Sequence, residues 1–378
     1  MAFLSGYNKP PTELYNDQHQ TLQFTEISFQ LGKSMKVDVI RLRRWTTKAV
    51  IAEGKHLSQA LCAEFGVSRA TAAAHLKKLV VGGWLTSSGG TRPTYGPGRN
   101  REIMMTYMLP GITEDLIWQN DFRPWFDLSK NVAAILDYGF TEIMNNANDH
   151  SEGQMVAVVV GIRDEIVSLL VLDDGVGIFE KISKALNLPD RRLAILELSK
   201  GKFTTDPANH SGQGIFFTSR MYDQFQIEAN GLRYDHDALK TDDWLWEIDR
   251  PDTGTLIYMR IAANSQCTTK AVFDEFSGGE DYGFDKTIVP VKLARIGEGT
   301  LVSRSEAKRL VARFEGFKTV CLDFAGIEEI GQAFADEVFR VFQNAHPAIK
   351  LVAIHTTTAV RQMITRARPT VGNKLLGR

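Results

Sequence analysis

Apolar and polar residues in the first part of the chain follow a helical period. Hydrophobic side chains recur every three or four positions over residues 35–52, 58–65 and 68–81, and Gly66 separates the last two stretches. Two alternating segments, WLTSS and REIMMTYML, follow and are joined by the turn-rich GGTRPTYGPGRN. We therefore expect three helices and a β-hairpin over residues 35–110. Residues 1–34 show only one strand-like run, LQFTEISFQ, and no role is assigned to them.

The pattern changes after Pro124 to that of an α/β sandwich. A long amphipathic helix is predicted over residues 129–148, followed by the hydrophobic strands MVAVVVGI and IVSLLVL. A loop-rich stretch and another helix separate these from the strands FQIEAN, WLWEI and GTLIYMRI. This order predicts helices on one face of a mixed sheet over residues 125–263. Residues 264–283 are polar and contain several glycines, which is typical of a linker.

Residues 284–378 alternate between strand and helix. The strands KTIVPVKL, KTVCLDFAG and IKLVAIHT are separated by the helical segments SRSEAKRLVARFEG and GQAFADEVFRVFQNAH, and a last helix ends near Arg368. Such alternation predicts a small α/β domain. The chain as a whole is therefore predicted to be an α/β multidomain protein, and its 378 residues agree with two or three domains.

Composition narrows the class of protein. Hydrophobic residues make up 43% and charged residues 24%, which is typical of a folded globular chain. The net charge of -1 provides no overall attraction to polyanions, so a nucleic-acid surface would have to be local. The three cysteines form no CxxC pair, which argues against a zinc site or a disulfide framework. No apolar run approaches the roughly 20 residues that span a bilayer, and no export signal is visible, so we expect a cytoplasmic protein with no membrane contact.

A candidate site lies on the long central helix, in FTEIMNNANDHS. Glu142 and Asn146 are four residues apart and therefore share one face of the helix. An asparagine oxygen can complete the shell of a magnesium ion that also binds phosphates and water. The neighbouring carboxylate can orient or deprotonate a water or a hydroxyl for in-line attack. The alternative is that this pair is only a solvated polar face.

Two glycine-bearing segments add to this site. In VLDDGVGI, a strand leads to Asp173, whose carboxylate can accept a hydrogen bond from an adenine amino group, and the glycines that follow permit a tight turn. In NHSGQGIFFTSRM, Gly212 and Gly214 precede a helix, whose free amide groups and dipole favour a phosphate. The stretch before this helix is suited to a lid over a triphosphate and contains Lys200, Lys202, Thr204, Thr205 and His210.

These segments, together with GTLIYMRI, resemble the GHKL superfamily of gyrase, the MutL repair proteins, heat-shock chaperone ATPases, histidine kinases and anti-sigma serine kinases. FTEIMNNANDHS resembles the N box, DDGVG the G1 box and SGQG the G2 box, while Gly254 and Thr255 resemble the last adenine-side element. The resemblance implies a Bergerat fold that binds ATP and Mg²⁺. No histidine-bearing dimerisation helix precedes these boxes, which argues against a sensor histidine kinase, although KFTTD is similar to the segment ahead of the G2 box in such kinases.

The resemblance also implies a role for each matched residue. Asn146 would be the magnesium ligand and Glu142 the general base, while Asp173 would contact adenine with the help of Thr255. The other expected nucleotide contacts come from the G1 box, the lid and the G2 box: Gly175, Gly177, Lys202, Thr204, Ser211, Gly212, Gln213 and Gly214. Whether ATP is hydrolysed, transferred to a protein or only bound stays open.

The first region has the order of a winged helix-turn-helix domain. Ser68 can cap the second helix of that motif, and Arg69, Thr71, His75 and Lys77 supply donors suited to a major groove. The turn-rich tip carries basic side chains that a wing uses on phosphates, namely Arg92, Arg99 and Arg101. We therefore expect binding to double-stranded DNA. Winged helices also serve as protein-docking modules, which is the alternative.

The last region resembles the STAS-like domains of unknown function that occur fused to GHKL ATPases. VSRSEAKRL, LDFAGIEEIGQAFADEVFRVF and the final strand are the matching stretches. In anti-sigma antagonists of the related STAS class, a serine after the LDF-type strand accepts phosphate from a GHKL serine kinase. Here Gly331, Gln332 and Ala333 occupy that place, so the sequence departs from the switch. We expect a docking or regulatory module for a protein partner.

Domain order leads to one main hypothesis and two alternatives. The main hypothesis is a DNA-binding transcriptional regulator in which ATP closes the lid and rearranges the flanking domains or a homodimer. A serine or threonine protein kinase of the anti-sigma type, acting on a STAS-like partner, is the second. The third is an ATPase switch within a larger machine, with both end domains binding protein.

Overall fold

The computed structural model of the protein describes residues 38–90, 92–204, 212–238, 242–249, 253–277, 283–296 and 300–368. Contacts divide the chain into two compact units, Met1–Leu42 and Arg43–Arg378. Residues 38–42 of the first unit are described, and they contain the start of helix α1 (Val39–Glu53). The predicted strand-like run within residues 1–34 lies outside the described residues.

Two helices follow α1, and their ends have local causes. Helix α2 (Leu57–Phe65) ends at Gly66, whose φ of 63° is in the left-handed region that favours glycine. Helix α3 (Arg69–Val81) begins after Ser68, whose Oγ accepts a hydrogen bond from the N–H of Thr71 at 3.2 Å. Both helices start within one residue of their predicted positions. Their buried side chains are Leu57, Leu61, Ala72, Leu76 and Leu79.

The predicted hairpin between WLTSS and REIMMTYML is wrong. Strand β1 (Leu85–Ser88) pairs antiparallel with β2 (Thr94–Pro97), which lies inside the segment predicted to be the tip. Strand β3 (Arg101–Met108) pairs over its full 8 residues with β4 (Met155–Arg163). Strand β1 has only four residues, whereas β4 pairs with β3 along its whole length and therefore satisfies more of its backbone groups.

Strand β3 is thereby the first strand of a seven-stranded sheet with the order β3-β4-β5-β9-β6-β7-β8. Every pairing between these described strands is antiparallel, so the predicted mixed sheet is wrong. Asp164 and Glu165 both have positive φ, as do Asn230 and Gly231, which are the two-residue turns that join adjacent antiparallel strands. The remaining strands are β5 (Ile166–Asp173), β6 (Gln224–Ala229), β7 (Leu232–Asp237), β8 (Asp242–Glu247) and β9 (Thr255–Ala262).

Helices cover the face of this sheet to which Val158, Leu169 and Met259 point. The longest, α5 (Lys130–His150), contacts β5 and the helix α8 (Gly214–Met221). Further helices of this layer are α4 (Glu114–Ile117), which continues into a π-helical turn at Trp118–Phe122, α6 (Ile178–Ala185) and α7 (Leu193–Lys200). The layer therefore brings α5, α6 and α8 to the same end of the sheet as the end of β5.

The C-terminal region is a separate parallel sheet with the order β10-β11-β12. The segment 264–283, predicted as a linker, contains helix α9 (Thr269–Phe276), because Val272 and Phe276 are buried against neighbouring elements. The elements of the parallel region are β10 (Lys286–Pro290), α10 (Arg304–Val311), β11 (Thr319–Asp323), α11 (Gln332–Asp336) with a π-helical continuation at Glu337–Phe342, β12 (Lys350–Ile354) and α12 (Thr358–Ala367). The chain is thus a mixed α/β protein with more than one sheet.

Across the part of the chain that the structure describes, no helix combines the length and apolar character needed to cross a membrane.

Candidate functional site

The base of the candidate site is a carboxylate at the end of an apolar row. Along β5, Val167, Leu169 and Val171 point to the helical layer, and the alternation of the strand places Asp173 on the same face. Asp173 is 6% exposed. Its Oδ1 accepts hydrogen bonds from the N–H of Gly175 at 2.9 Å and the N–H of Thr255 at 3.1 Å. The carboxylate is therefore held by two backbone donors from two different segments.

Two glycines after Asp173 have no room for a side chain. A Cβ on Gly175 would lie 2.0 Å from the carbonyl oxygen of Ser151, and a Cβ on Gly177 would lie 2.4 Å from the amide of Asn230. Gly177 also has a φ of 85°. The loop therefore fits between the end of α5 and the β6–β7 turn because these two positions are glycine.

Asn230 secures this loop, although the sequence pattern assigned it no role. It is 4% exposed, its Nδ2 donates to the carbonyl of Val176 at 3.0 Å, and its Oδ1 accepts from the N–H of Glu180 at 3.0 Å. Arg191 donates to its backbone carbonyl at 2.9 Å. The only sequence signal was the Asn-Gly pair, which indicates a turn and does not reveal a contact with a loop more than fifty residues away.

Helix α5 presents Glu142 and Asn146 to the site, as their spacing predicts. Burial raises the pKa of Tyr138, one turn earlier, above its ordinary range, and the hydrogen-bonded Glu142 carboxylate raises it further. Tyr138 is thus a donor to Glu142. Another residue missed in the sequence, Lys181, borders the same space, and its Nζ donates to the carbonyl of His150 at 2.5 Å.

The amino end of α8 approaches Glu142 closely. A Cβ on Gly214 would lie 1.9 Å from Oε2 of Glu142, so the helix can begin here only with glycine while Glu142 keeps this position. Gly212 has a φ of 68°, and a Cβ there would lie 2.4 Å from the Phe203 backbone. A carboxylate therefore stands at the positive end of a helix, where anions are stabilised.

Residues from each of these segments line one cavity of about 280 Å³. This is close to the lower end, about 300 Å³, of small-ligand pockets. Its lining includes these sequence-predicted residues: Glu142, Asn146, Asp173, Gly177, Thr204, Gly212, Gly214 and Thr255. Segments that are distant in the sequence are therefore brought to one concave site.

Three other predicted residues that the structure describes do not line the cavity. Gly175 lies beneath it, bonded to Asp173, and Gln213 is the residue before the first turn of α8. Lys202 is directed elsewhere, as described below. Ser211 lies outside the described residues, as do Thr205 and His210.

Among the described residues, no cluster of three or more His, Cys, Asp or Glu side chains could hold a metal ion. A divalent ion in the cavity would therefore need oxygen ligands from a bound molecule in addition to Asn146. This agrees with the habit of magnesium, which binds through few protein groups and substrate phosphates.

Comparison with known families concerns the C-terminal region. Residues 306–361 match the family model of a STAS-like domain of unknown function (DUF4325). The C-terminal domain is STAS-like. The match runs from α10 into α12, and we use the name STAS-like domain for β10 to α12. No curated protein matches the chain. A STAS-like domain is a domain of the protein-interaction type.

Both predicted lid lysines, Lys200 and Lys202, contact the STAS-like domain. Lys202 donates from Nζ to the carbonyl of Gly316 at 2.6 Å, and its ammonium lies 4.7 Å from the ring centre of Phe317. Lys200 is 0% exposed and donates to the carbonyls of Arg309 and Ala312 at 2.9 Å and 3.0 Å. Burial lowers the pKa of both lysines. The lid stretch is therefore anchored away from the cavity at these two positions.

Most of the predicted DNA-contacting residues lie on exposed parts of α1 to β3, but His75 and Arg101 are half-buried, and Nη1 of Arg101 donates to the carbonyl of Trp125 at 2.7 Å. Ser68, Arg69 and Thr71 are exposed, and Ser68 and Thr71 bond to each other at 2.9 Å. His75 is half-buried because it lies beside the inward row of α3. Arg92 and Arg99 are exposed next to the β1–β2 ladder. A basic surface is present, with His75 at its margin.

Proposed function

We propose that the cavity binds ATP with Mg²⁺ and that the region from α5 to β9 is a GHKL-type domain with the Bergerat fold. The observation that carries this proposal is that the four motif segments, spread from Glu142 to Thr255, meet in one cavity. If the helix residues were only a solvated polar face and the glycine segment only a turn, they would not be expected to line the same cavity. Asp173 would serve the adenine end of the nucleotide, and Glu142 and Asn146 would serve the phosphate end.

The adenine end would be at Asp173. Its Oδ1 is already occupied by two backbone donors, so the carboxylate has a fixed orientation. An exocyclic amino group is a donor and suits a carboxylate, whereas the corresponding oxygen of guanine would be repelled. Thr255, whose Oγ1 accepts from the N–H of Ile178 at 3.1 Å, fixes the loop beside it. We therefore propose selectivity for adenine over guanine.

The phosphate end would lie between α5 and the amino end of α8. The free N–H groups of that helix favour the phosphates, and Asn146 would supply an oxygen to a magnesium ion shared with them. The ion would neutralise phosphate charge. Glu142 would orient a water and take its proton during attack on the terminal phosphorus. Its present place against Gly214 requires the carboxylate to shift when a phosphate arrives, since like charges repel.

We propose that the region from α1 to β2 is a winged helix-turn-helix that binds double-stranded DNA under nucleotide control. The supporting observation is that β3 links the two regions: it pairs with β4 on one side, and Arg44 of α1 binds Glu102 of β3 at 2.5 Å. Helix α1 and the sheet above the cavity are therefore connected through one strand. The protein would be an ATP-controlled transcriptional regulator.

The test of nucleotide binding is Asp173→Asn. The amide keeps an oxygen for the N–H groups of Gly175 and Thr255, while its other atom becomes a donor that opposes the adenine amino group. Asp174→Asn is the matched control, because Asp174 Oδ1 accepts from Gln154 and Met155 outside the cavity lining. By titration calorimetry we expect more than tenfold weaker ATP binding in the first variant and little change in the second. Equal binding by both would contradict the proposal.

A second experiment asks what becomes of the terminal phosphate. The chain is incubated with Mg²⁺ and ATP labelled at that position, beside Glu142→Ala and Asn146→Ala. We expect free labelled phosphate from the wild type and none from either variant. Label retained on protein would instead indicate a kinase and replace the ATPase assignment.

A further inference from the structure

Helix α7 is buried on every side although it carries polar residues. All eight of its residues, Leu193–Lys200, are buried. A helix covered on all faces lies inside the protein and has neighbouring elements on every side. The sequence neighbours of α7 form the cavity wall, and β10 of the STAS-like domain contacts its other side. The two charged residues of this helix, Glu197 and Lys200, therefore lie between the cavity and the STAS-like domain.

Lys200 binds the end of the first STAS-like helix. Besides the carbonyls of Arg309 and Ala312 at the end of α10, its ammonium binds Glu197 at 2.7 Å. The Lys200 carbonyl in turn accepts from the buried hydroxyl of Thr287 at 2.8 Å. A buried ammonium needs such partners, because an unpaired one is costly. The end of α7 is therefore fixed to the STAS-like domain from both its side chain and its backbone.

Arg313 of the STAS-like domain binds both α7 and the residues that follow it. Its Nη1 donates to Glu197 at 2.8 Å and its Nη2 donates to the carbonyl of Lys202 at 2.8 Å. Its guanidinium lies 5.1 Å from the ring centre of Phe203. Arg313 has a φ of 65°, an uncommon value for a residue other than glycine, so the surrounding contacts hold it there.

The residues that Arg313 holds are part of the cavity. Phe203 and Thr204 line it directly after Lys202. The same junction reaches the phosphate-side helix, since the ring centres of Phe216 in α8 and Phe284, two residues before β10, are 4.6 Å apart. A Cβ on Gly201 would lie 2.6 Å from the Phe284 ring, so the junction is closely packed.

We propose that Arg313 is a positioning residue that couples the nucleotide cavity to the STAS-like domain. A ligand that contacts Phe203 and Thr204 in the cavity would shift the adjoining Lys202, and Arg313 would pass that movement to the end of α10. By linkage, a partner that binds and shifts the STAS-like domain changes the nucleotide affinity by the same factor by which the nucleotide changes the affinity for that partner. The inference rests on the proposed nucleotide site and adds its regulation.

The test uses the full chain with Arg313→Asn, because asparagine tolerates left-handed backbone better than most residues. We would measure the affinity for a non-hydrolysable ATP analogue with Mg²⁺, and the hydrogen exchange of residues 304–318 with and without it. In the wild type we expect the analogue to slow exchange there. In the variant we expect an affinity change of at least about fivefold and loss of this protection.

Two other variants make the result specific. Arg340→Ala removes a surface guanidinium that pairs with Asp336 in the same domain, and we expect wild-type behaviour. Arg313→Lys keeps a cation near Glu197 but cannot bind the Lys202 carbonyl at the same time, and we expect an intermediate effect. Wild-type affinity and protection in Arg313→Asn would overturn the coupling alone. Absence of analogue binding in the wild type would overturn the nucleotide site and the coupling together.

Discussion

The glycines in and beside the cavity differ in which atoms lie next to them. Opposite Gly175 is a backbone carbonyl, that of Ser151, which cannot move without the end of α5. Opposite Gly214 is the carboxylate of Glu142, the end of a flexible side chain. The same added methyl group should therefore have different consequences at the two positions.

We expect Gly175→Ala to lower the free energy of unfolding by about 1–3 kcal/mol, the usual cost of overpacking. Gly214→Ala should keep near-wild-type stability because Glu142 can turn aside, but ATP hydrolysis should fall at least about tenfold as the base is displaced. Thermal unfolding and phosphate release measure the two effects. Gly90→Ala, where the added atom meets nothing within 4 Å, serves as the control. Equal stability losses at Gly175 and Gly214 would argue against this account.

Lys200 provides a prediction on pH. Burial lowers its pKa in the folded protein, so between that value and the unfolded value of about 10.4 the unfolded chain binds more protons. Stability contributed by this group therefore increases as pH rises through that window. The difference in unfolding free energy between the wild type and Lys200→Met should grow in favour of the wild type as pH rises, as measured by urea unfolding. A constant difference would contradict it.

At the scale of elements, the β1–β2 hairpin and helix α3 expose basic side chains without using them in the described ion pairs. Arg69, Arg92 and Arg99 are exposed, and cations in such positions lower the free energy of phosphate contacts by releasing counterions. Their contribution should therefore depend on salt.

We expect Arg92→Glu and Arg69→Glu each to weaken DNA binding and to reduce the slope of log affinity against log salt by about one or more. Gel-shift titrations over a genomic fragment library, repeated at several salt concentrations, provide both quantities. Arg366→Glu on α12 is the control, because Arg366 is also exposed but belongs to the STAS-like domain. If these helix and hairpin variants behave like the control, the region is a protein-docking module.

At the scale of the whole molecule, the cavity is linked in two directions. Strand β3 connects the sheet to α1 through the Arg44–Glu102 pair, and the contacts of Lys200 and Arg313 connect the lid to the STAS-like domain. A structural change at the phosphate end of the cavity could therefore be transmitted to α1 and to the STAS-like domain.

Nucleotide and DNA should consequently affect each other's affinity by the same factor, about 5-fold or more. We would measure DNA affinity with and without the ATP analogue, and analogue affinity with and without saturating DNA. Asp173→Asn should abolish the first effect while leaving DNA binding itself intact. If DNA affinity is the same with and without the analogue, a switch that acts on protein partners would be favoured.

The sequence alone determined the local features. Helix starts and ends follow from Ser68 and Gly66, and the spacing of Glu142 and Asn146 places both residues on one face of α5. These features depend on neighbours within a few positions or on a strict alternation along one strand.

Only the tertiary structure decided which distant groups meet. Strand β3 pairs with β4 because an eight-residue ladder outweighs a short hairpin, and the pattern of β3 alone is the same for either partner. Lys200 and Lys202 turn to the STAS-like domain because its carbonyls replace water around their ammonium groups, and Asn230 reaches the Gly177 loop across the sheet. Such contacts join segments that are far apart along the chain, and separation in sequence does not determine distance in space.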